Sequence, residues 1–338
     1  MKVLILVMMI MGVSLQSWAI EEKMDYIEHI KKTVIPFYQN LGQKISLTAK
    51  DGVKLSAIKF IHPEGKDTIV VLPGWSETHA KYLEVIYDLY QQGYSVYALD
   101  HRGQGFSQHL VESNSHISYV DKFEDYINDL QLFMNSVVLK EVSDRPYLLA
   151  HSMGGAISLF YLQTSQHYFK AVVLCSPMLQ INTKPYPSFV ANPLIGVLRA
   201  LGKGKKYAPG KGDYDPDASF KDNILTHSEP RFQMFKMMNF IYPETIIGGP
   251  SVNWVFEAVK ATKKLKGIGK ELSVPLLIFQ ASGDQIVKVK RQNKLCERAQ
   301  NCRLEVFQGA HHEILMEIDA HRNRAFQEIF SFFQANPY

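Results

Sequence analysis

The sequence is poor in cysteine: three in 338 residues. That excludes a fold held by a disulfide lattice, and it excludes a zinc site of the paired Cys-x-x-Cys type. It also lacks a dominant sign of charge. Lys plus Arg number 37 against 33 Asp plus Glu, for a net charge of +4. A bias that small over so much surface does not mark a nucleic-acid binder, and no nucleic-acid partner is expected. Internal repeats and low-complexity tracts are missing too, so a solenoid or a disordered chain is set aside. Beyond the amino end, apolar runs such as Thr68 to Leu72 and Pro275 to Phe279 are strand-length and too short to span a bilayer. What the chain does have is 46% hydrophobic residues, enough for a large core in one domain with insertions or in two domains.

The first nineteen residues stand apart. Lys2 gives a positive start, Val3 to Met11 is unbroken apolar sequence, and Ser17-Trp18-Ala19 offers small residues for cleavage. Gly12, Ser14, Gln16 and Ser17 interrupt the run well before the roughly 20 apolar residues that a spanning helix needs. Residues 1–19 therefore read as a secretion signal, and the mature protein is expected to be exported, to the periplasm or the medium. In an oxidising compartment Cys296 and Cys302 could close a small disulfide loop, although spacing alone does not fix the sulfur geometry. Cys175, inside the apolar run Ala171 to Cys175, reads as a buried core thiol.

Two strand patterns, Lys44 to Ala49 and Val53 to Ile61, flank Asp51-Gly52 as in a hairpin. Short apolar strands then alternate with amphipathic helices: Thr68 to Leu72, Tyr94 to Leu99, Tyr147 to Ala150, Ala171 to Cys175, Leu276 to Gln280 and Arg303 to Phe307. Such alternation implies an α/β fold with a mostly parallel sheet and helices on both faces. The pattern breaks from about Met178 to Val274, where Pro and Gly are frequent and helical stretches follow one another without strands. The expected organisation is a signal segment (1–19), a first core part (20–177), a helical cap or lid insertion (178–274) and a second core part (275–338). Residues 20–43 read as an amphipathic helical lead-in, and Ile314 to Phe333 as a closing helix.

Ala150-His151-Ser152-Met153-Gly154-Gly155 follows a predicted strand and opens a predicted helix, the setting of a nucleophile elbow. The turn strains the serine backbone, and its neighbours two positions away on either side must be small for strand and helix to cross. A serine hydroxyl needs a base to take its proton, and a histidine base needs a carboxylate to fix its tautomer. Asp284 stands just past the strand Leu276 to Gln280, at the sheet edge where catalytic loops gather. The base is His311 or His312, in Gly309-Ala310-His311-His312-Glu313, and sequence physics barely separates them. His151, next to the serine, is expected to point elsewhere and to be structural. Backbone donors for a developing oxyanion are expected from Met153, after the serine, and from Trp75 in Pro73-Gly74-Trp75-Ser76, where Pro73 has no N–H to offer.

At this point the chain resembles bacterial lysophospholipases related to monoacylglycerol lipases, within the serine α/β-hydrolases, over most of its length beyond the signal segment. Val71-Leu72-Pro73-Gly74, Asp100-His101-Arg102-Gly103-Gln104-Gly105-Phe106-Ser107, Ala150 to Gly155 and Gly309 to Leu315 look like that family's core motifs in their usual order. Leu225-Thr226-His227-Ser228 with Arg231, and Gly248-Gly249-Pro250-Ser251 with Trp254-Val255, are similar to the lysophospholipase branch in particular. The resemblance implies an α/β-hydrolase fold with Ser152 as nucleophile, Asp284 as orienting acid, His312 as base, and Trp75 and Met153 as oxyanion donors. It also implies that Asp100 and Arg102 hold a structural loop near the site.

The expected reaction is hydrolysis of a lysophospholipid acyl ester through an acyl-enzyme on Ser152. Monoacylglycerol or a general carboxylic ester is the near alternative, and a non-catalytic lipid-binding protein is the alternative of another class. The chemistry calls for no metal and no cofactor. In the cap, Arg231 to Tyr242 is dense in aromatic and thioether side chains, and Phe232, Phe235 and Met238 are candidates for acyl-chain contact, with core packing as the rival role. Lys203, Lys205, Lys206 and Lys211 form either a solvated basic loop or an attraction site for anionic headgroups in a peripheral membrane contact.

Overall fold

The computed structural model describes residues 24–165, 168–182 and 187–337. The expected signal segment, residues 1–19, lies outside them. Eight strands form one sheet in the order β1-β2-β4-β3-β5-β6-β7-β8, comprising β1 (Gln43–Thr48), β2 (Lys54–Phe60), β3 (Asp67–Leu72), β4 (Tyr94–Leu99), β5 (Tyr147–His151), β6 (Val172–Cys175), β7 (Leu276–Ala281) and β8 (Cys302–Phe307). β2 runs antiparallel to both of its neighbours, and the remaining pairs are parallel. Each expected strand is present within a residue or two of its expected ends, and the hairpin turns where Gly52 takes a φ of +86°.

The central strands read as continuous apolar runs because both of their faces are covered. Along β3, Val70 and Leu72 face one buried cluster while Ile69 and Val71 face the other. The first cluster is roofed by α3 (Phe123–Phe133), α4 (Ser152–Ser165) and α7 (Val252–Lys264). The second is roofed by α2 (Leu83–Gln91), α9 (Asp319–Ala335) and the lead-in, a helical stretch over 24–29 that continues through Ile30–Val34 into α1 (Ile35–Leu41). Ile30, Val34 and Tyr38 of that lead-in are buried in this cluster.

Between β6 and β7 stand α5 (Ser188–Ala200), α6 (Glu229–Ile241) and α7. The segment expected to be cap, 178–274, divides here. Trp254, Ala258 and Ala261 of α7, with Leu265, Ile268, Leu272 and Val274 after it, enter the first core cluster, so this stretch is the crossover layer of the sheet. α5 packs on α7 away from both core clusters, while α6 sends Met234 and Met238 into the second one. The expected closing helix also divides. A 3-10 turn, Ile314–Met316, precedes α9, and the chain breaks at Glu317, whose buried carboxylate turns inward to accept backbone N–H groups. Cys296, at the end of α8 (Lys290–Cys296), is disulfide-bonded to Cys302 at the start of β8, and Cys175 is a buried free thiol. No helix among the described residues is long and apolar enough to cross a membrane.

Candidate active site

The carboxyl ends of the parallel strands bring the expected residues together. β5 ends at His151, and the chain turns at once into α4 through Ser152, whose φ of +47° lies in the left-handed region. Glycine is required after it. A side chain at Gly154 would stand 2.5 Å from the carbonyl oxygens of Leu72 and Pro73, and one at Gly155 would stand 2.9 Å from the Pro177 ring. The helix therefore crosses the end of β3 at backbone contact, which aims the serine out of the sheet edge.

His312 Nε2 lies 2.9 Å from Ser152 Oγ, and His312 Nδ1 lies 2.6 Å from Asp284 Oδ2. Asp284 follows β7 and spends its other oxygen on the N–H groups of Ile286 and Val287, at 2.7 and 3.0 Å. Burial alone would raise its pKa, but the His312 bond and these two donors outweigh that and hold it below the ordinary aspartate value. A carboxylate accepts only, so His312 carries its proton on Nδ1 and leaves Nε2 free to accept from the serine. The acid and base loops are tied together: Gly283 N donates to Ala310 O at 3.0 Å and Gly309 N to Ser282 Oγ at 2.7 Å.

The geometry separates the two histidines. His311 turns its ring away from Ser152 onto His227, with ring centroids 3.7 Å apart, while its backbone N–H donates to Glu317 at 2.8 Å. His151 departs from expectation. Its ring lies 4.7 Å from that of His312, so it backs the base instead of pointing elsewhere, with Nδ1 3.1 Å from Cys175 O. Burial holds its pKa down at about 4, against the pull of Glu77, so the ring beside the base is uncharged at neutral pH.

The loop after β3 is fixed on both sides of Trp75. Gly74 N donates to Glu77 Oε2, and Ser76 N, with its φ of +58°, donates to Gln104 Oε1 at 3.2 Å. Gln104 Nε2 donates to Gly74 O and Glu77 O at 2.8 and 2.7 Å. The Trp75 indole N–H donates to Ser118 Oγ at 2.7 Å, and the ring lies against Trp254. Between these two committed amides, the Trp75 backbone N–H finds no acceptor among the described residues. Met153, in the first turn of α4, is buried beneath the serine.

The Asp100–Ser107 loop supports this arrangement. The Asp100 carboxylate accepts from His79 N, Thr78 Oγ1 and Phe106 N, and Arg102 forks onto both oxygens of buried Asp129. Two parts of the site escaped the sequence reading. Gln104 lay inside a motif read as a single structural loop. Lys81, buried between Glu77 at 2.7 Å and Glu313 at 2.6 Å, lies in a stretch with no motif around it. Burial opposes its charge, but the two carboxylates raise its pKa well above the ordinary lysine value.

The three cap candidates have three different surroundings. Phe235 covers the Lys81 ammonium at 4.7 Å, beside the residue that follows the base. Phe232 packs on Phe220 within the cap. Met238 is buried with Met234 in the second core cluster, the packing role weighed against acyl contact.

Residues 63–319 match the model of the Hydrolase_4 family, described as serine aminopeptidase, S33. Among curated proteins, the chain is 33% identical over 302 residues to a "Probable lysophospholipase L2" of Haemophilus influenzae, covering 88% of this chain and 94% of that one. It is 34% identical over 295 residues to "Lysophospholipase L2" of Escherichia coli K12, covering 85% and 86%. The "Monoglyceride lipase" of Homo sapiens is 26% identical over 302 residues, covering 86% and 89%. Among solved structures, a carboxyl esterase from Bacillus coagulans superposes with a TM-score of 0.68 at 18% identity, covering 87% of this chain and 98% of that one. A soluble variant of monoglyceride lipase from Saccharomyces cerevisiae superposes with a TM-score of 0.66 at 17% identity, covering 87% and 96%. These likenesses show the α/β-hydrolase fold.

Proposed function

The chain belongs to the Hydrolase_4 (serine aminopeptidase, S33) family of serine α/β-hydrolases, and from that premise we propose that it hydrolyses the single acyl ester of a lysophospholipid. The observation that carries the chemistry is the chain of contacts from Ser152 Oγ through His312 to Asp284. In this reading His312 Nε2 takes the Ser152 proton as Oγ attacks the ester carbonyl. Trp75 N–H and Met153 N–H receive the negative charge that develops on the carbonyl oxygen. His312 then gives the proton to the departing glycerol oxygen, leaving an acyl group on Ser152, and water activated by the same imidazole releases the fatty acid. Side chains and backbone amides suffice for each of these steps.

Lysophospholipids are preferred as substrates because the curated relatives above 30% identity carry that name and span most of the chain. The cap supports a lipid surface as the place of work. Along α5 and its end, Phe189, Val190, Leu194, Val197 and Leu201 are exposed, Phe189 by 79% and Leu201 by 67%. The exposed Lys203, Lys205, Lys206 and Lys211 follow directly, and an apolar stripe flanked by lysines suits the interface of an anionic bilayer. The same reading places the enzyme outside the cytoplasm, a placement that the Cys296–Cys302 disulfide supports.

The deciding experiment compares fatty-acid release from lysophosphatidylcholine, lysophosphatidylethanolamine, monoolein and p-nitrophenyl butyrate. The lysophospholipids should have the highest kcat/KM, and preference for monoolein or the short ester would overturn the substrate assignment. Ser152→Ala and His312→Ala should abolish turnover of all four, while His311→Ala retains it. A dead His311→Ala beside an active His312→Ala would overturn the assignment of the base.

A further inference from the structure

Behind the base, on the side away from Ser152, three groups that bind transition metals converge. His227 comes from the cap just ahead of α6, His311 from the base loop, and Glu317 from the break before α9; one nitrogen or oxygen from each lies within 4.8 Å of the other two. His227 Nδ1 stands 2.7 Å from Glu317 Oε1, and the two imidazoles face each other at 33°. The carboxylate is already built in. It is fully buried and held by the backbone N–H groups of His311, His227 and Ile318 at 2.8, 3.1 and 2.9 Å.

One atom in the cluster is unexplained by the fold. His311 Nδ1 is buried and has no hydrogen-bond partner among the described residues. An imidazole nitrogen left so costs free energy unless something meets it. The His227 side chain, 44% exposed, opens the cluster to solvent and gives an ion a way in.

We propose that His227, His311 and Glu317 form a binding site for a divalent transition metal of the zinc type. Two imidazole nitrogens and one carboxylate oxygen, with solvent in the fourth position, are a ligand set for zinc, cobalt or nickel and a poor one for magnesium or calcium, which prefer oxygen. Binding requires His227 to present the lone pair of Nδ1, so its hydrogen bond to Glu317 is exchanged for the metal. An ion there would pin the cap to the loop that presents His312. The proposal does not depend on which ester the enzyme cleaves.

The test titrates the chelator-treated, full-length protein with zinc chloride by calorimetry, alongside His227→Ala and His311→Ala. Wild type should bind one zinc ion with a rise in melting temperature and should give no heat with magnesium. Each variant should bind zinc at least about tenfold more weakly. His227→Ala should keep wild-type turnover of p-nitrophenyl butyrate without metal, which shows that it is folded. No saturable zinc binding by wild type, or equal binding by wild type and both variants, would overturn the site.

Discussion

Lys81 Nζ and Glu313 Oε1 stand 232 residues apart in the chain and 2.6 Å apart in the fold, both sealed from solvent. Lys81 also grips Glu77, which accepts the Gly74 amide of the loop ahead of Trp75, while Glu313 directly follows His312. A single ammonium thus joins the oxyanion loop to the base loop. Lys81→Met would leave two carboxylates buried without a counter-charge, a loss of about 3 to 5 kcal/mol. Glu313→Gln leaves the Lys81–Glu77 pair intact and should cost about 1 kcal/mol. Urea unfolding at neutral pH gives the order; equal losses from the two substitutions would mean that the ammonium does not hold the cluster.

Gln104 holds three groups of the oxyanion loop and touches none of the triad. Gln104→Ala should lower kcat for p-nitrophenyl butyrate by about ten- to a hundredfold with little change in KM, less than the loss of a donor itself. Gln104→Glu keeps the acceptor for Ser76 N but lacks the donors for Gly74 O and Glu77 O, so it should fall between wild type and Ala. A rise in KM at constant kcat would place Gln104 in binding instead.

The left-handed backbone at Ser152 predicts a gain from removing the residue that works there. Ser152→Gly should lose turnover by about a thousandfold or more. Its melting temperature should hold or rise, by up to about 1 kcal/mol of stability, because glycine adopts this φ without a Cβ clash. Thermal denaturation with a rate assay settles both halves, and a marked drop in melting temperature would show that the turn is not strained.

The uncharged histidines around the site set an acid limit. Burial holds His151 and His101 at about 4, against an ordinary value of 6.5. The unfolded chain then binds these protons first as pH falls. Stability from each group is complete above about 6.5 and drains away down to about 4, by up to roughly 3 kcal/mol apiece. Denaturation midpoints should therefore drop between pH 7 and 5, above the range where carboxylates titrate. His151→Gln should show a shallower drop; an unchanged slope would mean that His151 is charged in the folded state.

The sequence announced the strands, the elbow and the acid because each rests on a local rule: an apolar run, a small-residue turn, an aspartate just past a strand. It left His311 and His312 nearly equivalent, because which ring faces Ser152 depends on Glu317 and His227 drawing His311 to the other side. How the 178–274 segment divides is hidden in the sequence for a similar reason. α7 has the ordinary pattern of an amphipathic helix, and only the fold shows that it meets both α5 of the cap and the first core cluster. Met238 was drawn into the acyl-binding candidates by a composition that serves a core equally well. Lys81 had only the spacing to Glu77, four residues earlier, as a signal, since its other partner comes from the far end of the chain.

The lead-in ahead of β1 bears on where this enzyme can be cut. A fragment starting at β3 would keep Ser152, Asp284 and His312 and would look complete to anyone counting catalytic residues. It would also lose β1, β2 and the buried side chains of Ile30, Val34 and Tyr38, whose hydroxyl reaches His79 beside the Asp100 network. The stretch that holds the chemistry is smaller than the stretch that folds, and a truncation designed around the first would yield insoluble protein.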